Sequence, residues 1–468
     1  MSLQNFIPPK PDNVKRYDGV DPLDGRYFDS EVSQYLSEQA RVLYQAHVEA
    51  ALAHTLAEFG LCSEELAQEI EDAAHSIDVA QVAEEEKTTK HDVKALVNTI
   101  KSKISDEAKP YVHMTATSYD IVSTASAVQY KAAFENVVIP SLKDLLKTLI
   151  ELADKYADTV QIGRTHGQHG VPITFGFALA EYVSRIGQSI EALQDLCTML
   201  QGKFSGAVGA YNASSLFIDD PLKFEEAVLA KLGLKPAEHS TQIVPPESLA
   251  RLLDETVIVA GAISNLATDM RHLQRSEIAE IREKFDPTQT GSSTMAHKRN
   301  PISFENVNAL YKEVLAQQFV VGQNLGSEHQ RDLTDSASAR FYPVLVAAVV
   351  QMIKKLNTTM AKIEVDEDAM LRNLQMSKGA IGAEPLYLLL GKHGHTSGHE
   401  KSKAIAHSAL DAGITFGEAV KDDEEIQAKY WDKFSEEEKL IITEPEKYYS
   451  GLASQKTKSI VDNWKSKF

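Results

Sequence analysis

Residues 291–301 read GSSTMAHKRNP, and they place three side chains able to carry positive charge, His297, Lys298 and Arg299, in one run. The chain around them is acidic, with 48 Lys+Arg against 67 Asp+Glu and a formal net charge of −19. A local cation cluster in such a chain suits a small anionic substrate. Asn300 is a favoured N-cap and Pro301 fits the first helical position, so a helix is expected from about Ile302. Lys298 and Arg299 then precede a helix N-terminus, where backbone N–H groups and the dipole attract anions. Gly291, Ser292 and Ser293 have little to hold them rigidly, as loops that close on substrates require. The plainer alternative is a solvated loop between helices.

Four further segments hold residues of the right type. In GRTHGQHGVPITFG (163–176), His166 lies between glycines and is followed three residues later by His169. On a helix that pair could bind zinc, but the glycines disfavour a helix and no acidic third ligand is near. An imidazole held by a glycine loop is better suited to proton transfer. In TTKHDVKA (88–95), Asp92 could orient His91, or the pair could be an ordinary first helical turn. In VHMTATSYD (112–120), His113, Thr117 and Ser118 precede a long helix that Thr117 or Ser118 would cap. In QRDLTDSASAR (330–340), Arg331 and Arg340 flank Asp332 and Asp335, and surface ion pairing is the alternative to anion binding. His47, His54, His75 and His407 fall within helical patterns and read as core-edge or surface residues, and HGHTSGHE (393–400) reads as a loop.

The elements that must position these residues are helical almost throughout. Apolar residues recur every three to four positions over 31–60 and over roughly 120–158, 174–203, 246–284, 302–324 and 337–363. Helices this long lie side by side in bundles. No strand series is evident; YVHMT (111–115) and AVGAYN (207–212) read as extended loops. Glycine, serine and threonine gather at 114–118, 163–170, 205–214 and 288–294, each at the end of a long helix. Past about 365 the helices shorten. The expectation is an all-α chain of three helical domains, 1–118, 119–365 and 366–468, since 468 residues exceed one core. The acidic balance argues against nucleic acid or an anionic membrane as partner. Cys62 and Cys197 suggest no disulfide framework and fit a reducing, cytoplasmic compartment. The first residues contain no apolar core of signal-peptide length, and VLVAAVVQMI (344–353) is too short to span a membrane.

Taken together, GSSTMAHKRNP, RTHGQ, TTKHDVKA, TSYD, STQIVP (240–245), QRDLTDSASAR and DPLDGRY (21–27) resemble the adenylosuccinate lyase family of the fumarase/aspartase superfamily. The resemblance runs from about 21 to 340; beyond that the chain matches only by helical character. It implies a homotetramer, long central helices forming a shared bundle, and active sites assembled from three subunits. It implies elimination of fumarate from adenylosuccinate and from the succinylcarboxamide ribonucleotide of purine synthesis, with no metal or organic cofactor. Ser292 would be the general base and His166 the general acid. His91 with Asp92 would orient substrate and support His166. Lys298 and Asn300 would grip a carboxylate. Lys90, Thr117, Ser118, Gln242 and Asn306 would contact substrate, and Arg26, Tyr27, Arg331, Ser336 and Arg340 would hold the nucleotide and its phosphate. The chain departs from the family pattern at Ala296, at His169 and in the spelling of HMTATSYD.

Overall fold

The structure is a computed structural model that describes residues 3, 6–9, 20–285, 295 and 298–467. It is all-α in class. The chain divides into two compact units, each made of three stretches: unit 1 is 1–142, 188–261 and 307–354, and unit 2 is 143–187, 262–306 and 355–468.

The first helices are α1 (Ser30–Leu36), α2 (Glu38–Glu58), α3 (Glu64–His75), α4 (Val79–Thr89) and α5 (Asp92–Lys101). The periodicity over 31–60 predicts one helix, but Ser37 interrupts it. Its extended backbone and its hydroxyl, which accepts from Ala40 N at 3.2 Å, restart the chain as α2. Helix α2 is alanine-rich and buried on nearly every side. Ala46, Ala50 and Ala53 let it approach α3 closely, and Ile70 of α3 with Leu96 and Ile100 of α5 complete the same core. Burying side chains of that size stabilises by ~1.5–3 kcal/mol each.

The pattern over 120–158 is met by α6 (Ser118–Ala133) and α7 (Ile139–Lys155), joined without a break by a π-turn at Phe134–Val138. Then come α8 (Phe175–Thr198), α9 (Pro221–Lys231), α10 (Glu247–Leu273), α11 (Ile302–Gln323) and α12 (Tyr342–Met360). The expected helix over 246–284 stops early, at Leu273. Ala279 takes a left-handed φ of 52°, and Ile281 and Arg282 pair with Val365 and Glu364. Short helices follow from Glu367 to Lys465 around Leu386, Leu390, Phe416 and Ile442.

One feature of unit 2 is not evident from the sequence: an antiparallel hairpin of β1 (Val160–Thr165) and β2 (Gln168–Thr174). Its turn residues, His166 and Gly167, have φ of 55° and 72°, as a two-residue type I′ turn requires. Strand periodicity was masked because Gly163 and Pro172 interrupt the alternation and the register shifts between Ile162 and Arg164.

Candidate active site

A cavity of about 870 Å³ lies within unit 1. Its wall includes the start of α5, the start of α6, the segment around Gln242 and the segment 331–343. Lys90 ends α4 in a left-handed conformation, φ 54°, and turns the chain so that His91 caps α5. His91 Nδ1 accepts from Lys94 N at 3.3 Å, which puts the imidazole proton on Nε2, 3.4 Å from Ser118 Oγ. Half of the His91 side chain is exposed.

Asp92 is not a partner of His91 alone. Its Oδ1 lies 3.6 Å from His91 Nδ1, and its Oδ2 faces Arg41 Nη1 at 3.5 Å and Arg340 Nη2 at 3.4 Å. Glu38 completes the cluster, accepting from Arg41 at 2.6 and 3.0 Å and from Arg340 at 3.0 Å. Burial works against the Glu38 charge, but Arg41 and Arg340 outweigh it and hold its carboxyl below the usual range. The four charges balance, so Arg340 is held in place by its own chain.

Arg331 is not a surface ion pair either. Its side chain is 6% exposed, with Nη1 on Asp335 at 2.8 Å, Nη2 donating to the Tyr119 hydroxyl at 2.7 Å, and the guanidinium 4.4 Å from that ring's centroid. Ser336 and Gln242 line the same cavity. Thr117 lies next to Ser118 at the start of α6.

A buried polar network fixes that start. Asp120 accepts from Thr117 N at 2.7 Å and from Gly206 N at 3.2 Å, and it pairs with Lys203, both side chains fully buried. Lys203 also donates to Gly206 O at 3.0 Å. The next residues extend the network. Phe204 N and the Tyr211 hydroxyl each donate to Glu225 at 2.6 Å, and Ser205 Oγ meets Ser240 Oγ at 2.6 Å. Burial nonetheless pushes the Glu225 carboxyl up. At Gly209, φ 79°, a Cβ would stand 2.0 Å from Ser240 O, so the backbones approach there as only glycine allows. The chain to Gln242 is thereby anchored to the start of α6. Asp120 closes the TSYD motif but was given no role there, and Lys203 and Glu225 lie outside every motif segment.

Other expected residues lie elsewhere. Arg26 is exposed and Tyr27 half-buried, just after a short 3₁₀ turn at Pro22–Asp24; neither lines the cavity. His166 belongs to unit 2, at the exposed hairpin tip. Strand β1 is clamped from Gln161 to Arg164 by buried Glu280, which accepts from Arg164 at 2.5 and 3.3 Å, from Gln161 at 2.7 Å and from Asn373 at 2.9 Å. His169 pairs across from Arg164; burial and that cation hold its imidazole below the usual range. Among the described residues no group of three or more His, Cys, Asp and Glu is placed to hold a metal.

Lys298, Asn300 and Asn306 also belong to unit 2, and Ser292 and His297 lie outside the described residues. Lys298 is exposed. The expected anion site at the start of α11 is taken. Ser303 N donates to Glu283 at 3.0 and 3.2 Å and Phe304 N at 3.0 Å, while Ile302 N bonds to Asn300 O. The anion at that N-terminus is the chain's own buried carboxylate, whose proton affinity burial raises.

Comparison with known proteins shows the family. A family profile described as "Lyase" matches residues 23–316, and one described as "Adenylosuccinate lyase C-terminal" matches residues 327–436. The chain beyond 340 therefore carries more than helical character. The adenylosuccinate lyase of Pyrococcus abyssi is 36% identical over 450 residues, 95% of this chain and 97% of its own. That of Methanocaldococcus jannaschii is 32% identical over 458 residues, 96% of each. The solved 3-carboxy-cis,cis-muconate lactonizing enzyme of Pseudomonas putida is 26% identical with a TM-score of 0.83, covering 95% of this chain and 99% of that one. Among the described residues no helix is long and apolar enough to cross a membrane. With motifs, cavity and near-full-length similarity in agreement, the chain belongs to the adenylosuccinate lyase family of the fumarase/aspartase superfamily.

Proposed function

We propose that the protein eliminates fumarate from adenylosuccinate, leaving AMP, and from the succinylcarboxamide ribonucleotide, leaving the carboxamide. What supports this most is that eight residues singled out by motif, Lys90, His91, Asp92, Ser118, Gln242, Arg331, Ser336 and Arg340, line one cavity. Arg331 and Arg340 suit a phosphate, and the Ser118 and Ser336 hydroxyls and the Gln242 amide suit the sugar, base or carboxylates.

In the proposed reaction Ser292 takes a proton from the succinyl carbon β to the departing nitrogen. The C–H electrons form the double bond of fumarate, the C–N bond breaks, and His166 protonates the nitrogen. Negative charge grows on the carboxylate beside the carbanion-like centre. The Lys298 ammonium, with Asn300, stabilises that charge more in the transition state than in the ground state. His166 is available for this role because the hairpin turn exposes its ring. His91, with Nε2 turned to Ser118, orients substrate. Arg26 and Tyr27 join Arg331, Ser336 and Arg340 at the phosphate, and Asp92 acts by holding Arg340. Thr117 and Asn306 contact substrate.

The active enzyme is proposed to be a homotetramer with sites shared between subunits, with three domains divided near 118 and 365 and a cytoplasmic location. Exposed apolar side chains on unit 1, Ile258 on α10 and Leu315 and Phe319 on α11, support association. Free Cys62 and Cys197 suit a reducing compartment.

Incubation with adenylosuccinate, followed by chromatography, is expected to yield AMP and fumarate in equal amounts. No product at micromolar enzyme removes the assignment. Mixing His166→Ala with Lys298→Ala is expected to restore activity; no rescue despite proven subunit exchange counts against shared sites.

A further inference from the structure

Helix α2 is apolar along most of its length, yet Glu38, Arg41, Gln45 and Glu49 follow at spacings of three and four and so form one row on its surface. Three of the four are engaged within the chain. Glu38 and Arg41 belong to the ion cluster around Arg340, and Glu49 accepts from His113 Nδ1 at 2.7 Å. Gln45 is the exception. It is 2% exposed, its Nε2 has no hydrogen-bond partner among the described residues, and it lines the 870 Å³ cavity. Gln129 is the internal control. It too is buried and lines the cavity, but its Nε2 donates to Tyr35 O at 2.8 Å. Buried polar groups are almost always paired, because an unmet donor carries its full desolvation cost. A cavity-lining amide that the protein leaves unmet is suited to a ligand.

We propose that Gln45 is a substrate-binding residue whose amide donates to an uncharged acceptor on the nucleoside part of the nucleotide, a ribose oxygen or a ring nitrogen. The proposal rests on the nucleotide reading above and adds a contact that the family motifs do not supply. Charge selects the part of the ligand. Phosphate and carboxylate oxygens are matched by guanidinium and ammonium groups, which bind anions more strongly than an amide does. A neutral donor in a buried wall discriminates instead by leaving itself unpaired when its neutral acceptor is missing.

The competing explanation lies one turn along α2. Glu49 Oε2 is also without a partner, and rotation of the Gln45 side chain could direct the amide to it. The two explanations differ in sign. An amide kept for ligand is a cost to the free protein, so its removal leaves the free protein as stable or more stable and weakens binding. An amide kept for Glu49 stabilises the free protein, and its removal does the reverse.

The test is Gln45→Met, unbranched and similar in volume, with Gln45→Leu as a second variant of different shape. Calorimetric titration with AMP is read alongside the Tm of the ligand-free protein. The expected result is an unchanged or raised Tm and a Kd weakened about tenfold, the scale of one hydrogen bond to a buried group. Repeating the titration with 2′-deoxy-AMP and 3′-deoxy-AMP locates the acceptor. A loss that vanishes with one analogue assigns that hydroxyl, and a loss that persists with both assigns the ribose ring oxygen or the base. A Kd change below twofold, or a fall in Tm with both variants, overturns the proposal. Wild-type protein that neither binds AMP nor cleaves adenylosuccinate removes the functional reading and this contact with it. Wild-type binding that the variants retain removes the contact alone.

Discussion

In the cavity of unit 1, Asp92 meets two guanidinium groups and Arg331 is held between Asp335 and the Tyr119 ring. At the hairpin tip of unit 2, by contrast, the imidazole of His166 has no hydrogen-bond partner among the described residues, and its position is set by the backbone. The cavity fixes side chains by charge, and the fully buried Lys203–Asp120 pair holds the start of α6 in the same way. The hairpin fixes main chain, through Glu280 and a two-residue turn, and leaves the ring free. Each solution suits the task proposed for it. A binding wall gains from cations already oriented, because little ordering remains to be done when ligand arrives. A group that must change protonation during the reaction gains from having no fixed partner that favours one state.

The largest effect is expected where charge is most deeply buried. Lys203→Met leaves Asp120 charged and unpaired, and breaking such a pair costs ~3–5 kcal/mol. Urea denaturation is expected to show that loss, and Asp120→Asn added to Lys203→Met is expected to recover most of it. A loss below ~1 kcal/mol, the scale of an exposed pair, would mean the wall is not held by buried charge. The corresponding change at the hairpin is expected to leave stability intact and strike turnover. His166→Ala lowers kcat at least ~100-fold, the usual scale for a general acid, while AMP titrates normally. Near-normal kcat removes His166 from the mechanism.

The contrast extends to pH. His47 is buried, hydrogen-bonded to His75 at 3.1 Å and to Leu3 O at 2.7 Å, so the reading of both as core-edge or surface residues fails for His47. Burial pushes its pKa down to about 4 from 6.5. The unfolded chain therefore binds the extra proton first, and stability falls as pH drops from about 6.5 to about 4, by at most ~3 kcal/mol for this residue. Burial lowers the His75 pKa too, which adds to the same trend. His113 works in the opposite direction. Burial disfavours its cation, but Glu49 outweighs burial and raises its pKa, so its contribution is present at low pH and lost as pH rises past 6.5. Denaturation midpoints between pH 4.5 and 7.5 check the net slope. His47→Asn is expected to flatten it, and an unchanged slope would show that His47 titrates normally.

How far the sequence led follows the same division. Long helices announce themselves by periodicity, and α8, α11 and α12 lie within a few residues of the expected bounds. His91, Asp92, Arg331 and Arg340 were legible because histidine, arginine and aspartate in short runs are unusual in an acidic helical chain, whereas Lys90, Gln242 and Ser336 were reached only through the family resemblance. Their partners were not. Glu38 and Arg41 look like ordinary helix-surface charges, and Glu280 and Glu283 lie within a pattern that reads as a continuation of α10. Only tertiary placement reveals that one clamps Arg164 and the other caps α11. The hairpin was hidden because six- and seven-residue strands interrupted by Gly163 and Pro172 leave no period to read.

The smallest expected effect tests whether the hairpin stores strain at its working residue. His166 adopts a φ of 55°, a region where a side chain with a Cβ is disfavoured by ~1–2 kcal/mol and glycine is not. His166→Ala keeps that penalty; His166→Gly relieves it, at some cost in unfolded-chain entropy. Both variants lack the imidazole, so both are inactive in the proposed mechanism and differ only in the backbone. His166→Gly is expected to be more stable than His166→Ala by about 1 kcal/mol in urea denaturation. A catalytic group held in an unfavourable conformation is then maintained at the expense of stability, as trade-offs between function and stability predict. Equal stability would mean that the turn relaxes once the ring is gone. In that case the clamp that Glu280 places on Arg164 would not extend to the turn, and the contrast between a wall fixed by charge and a hairpin fixed by backbone would hold only along the strands.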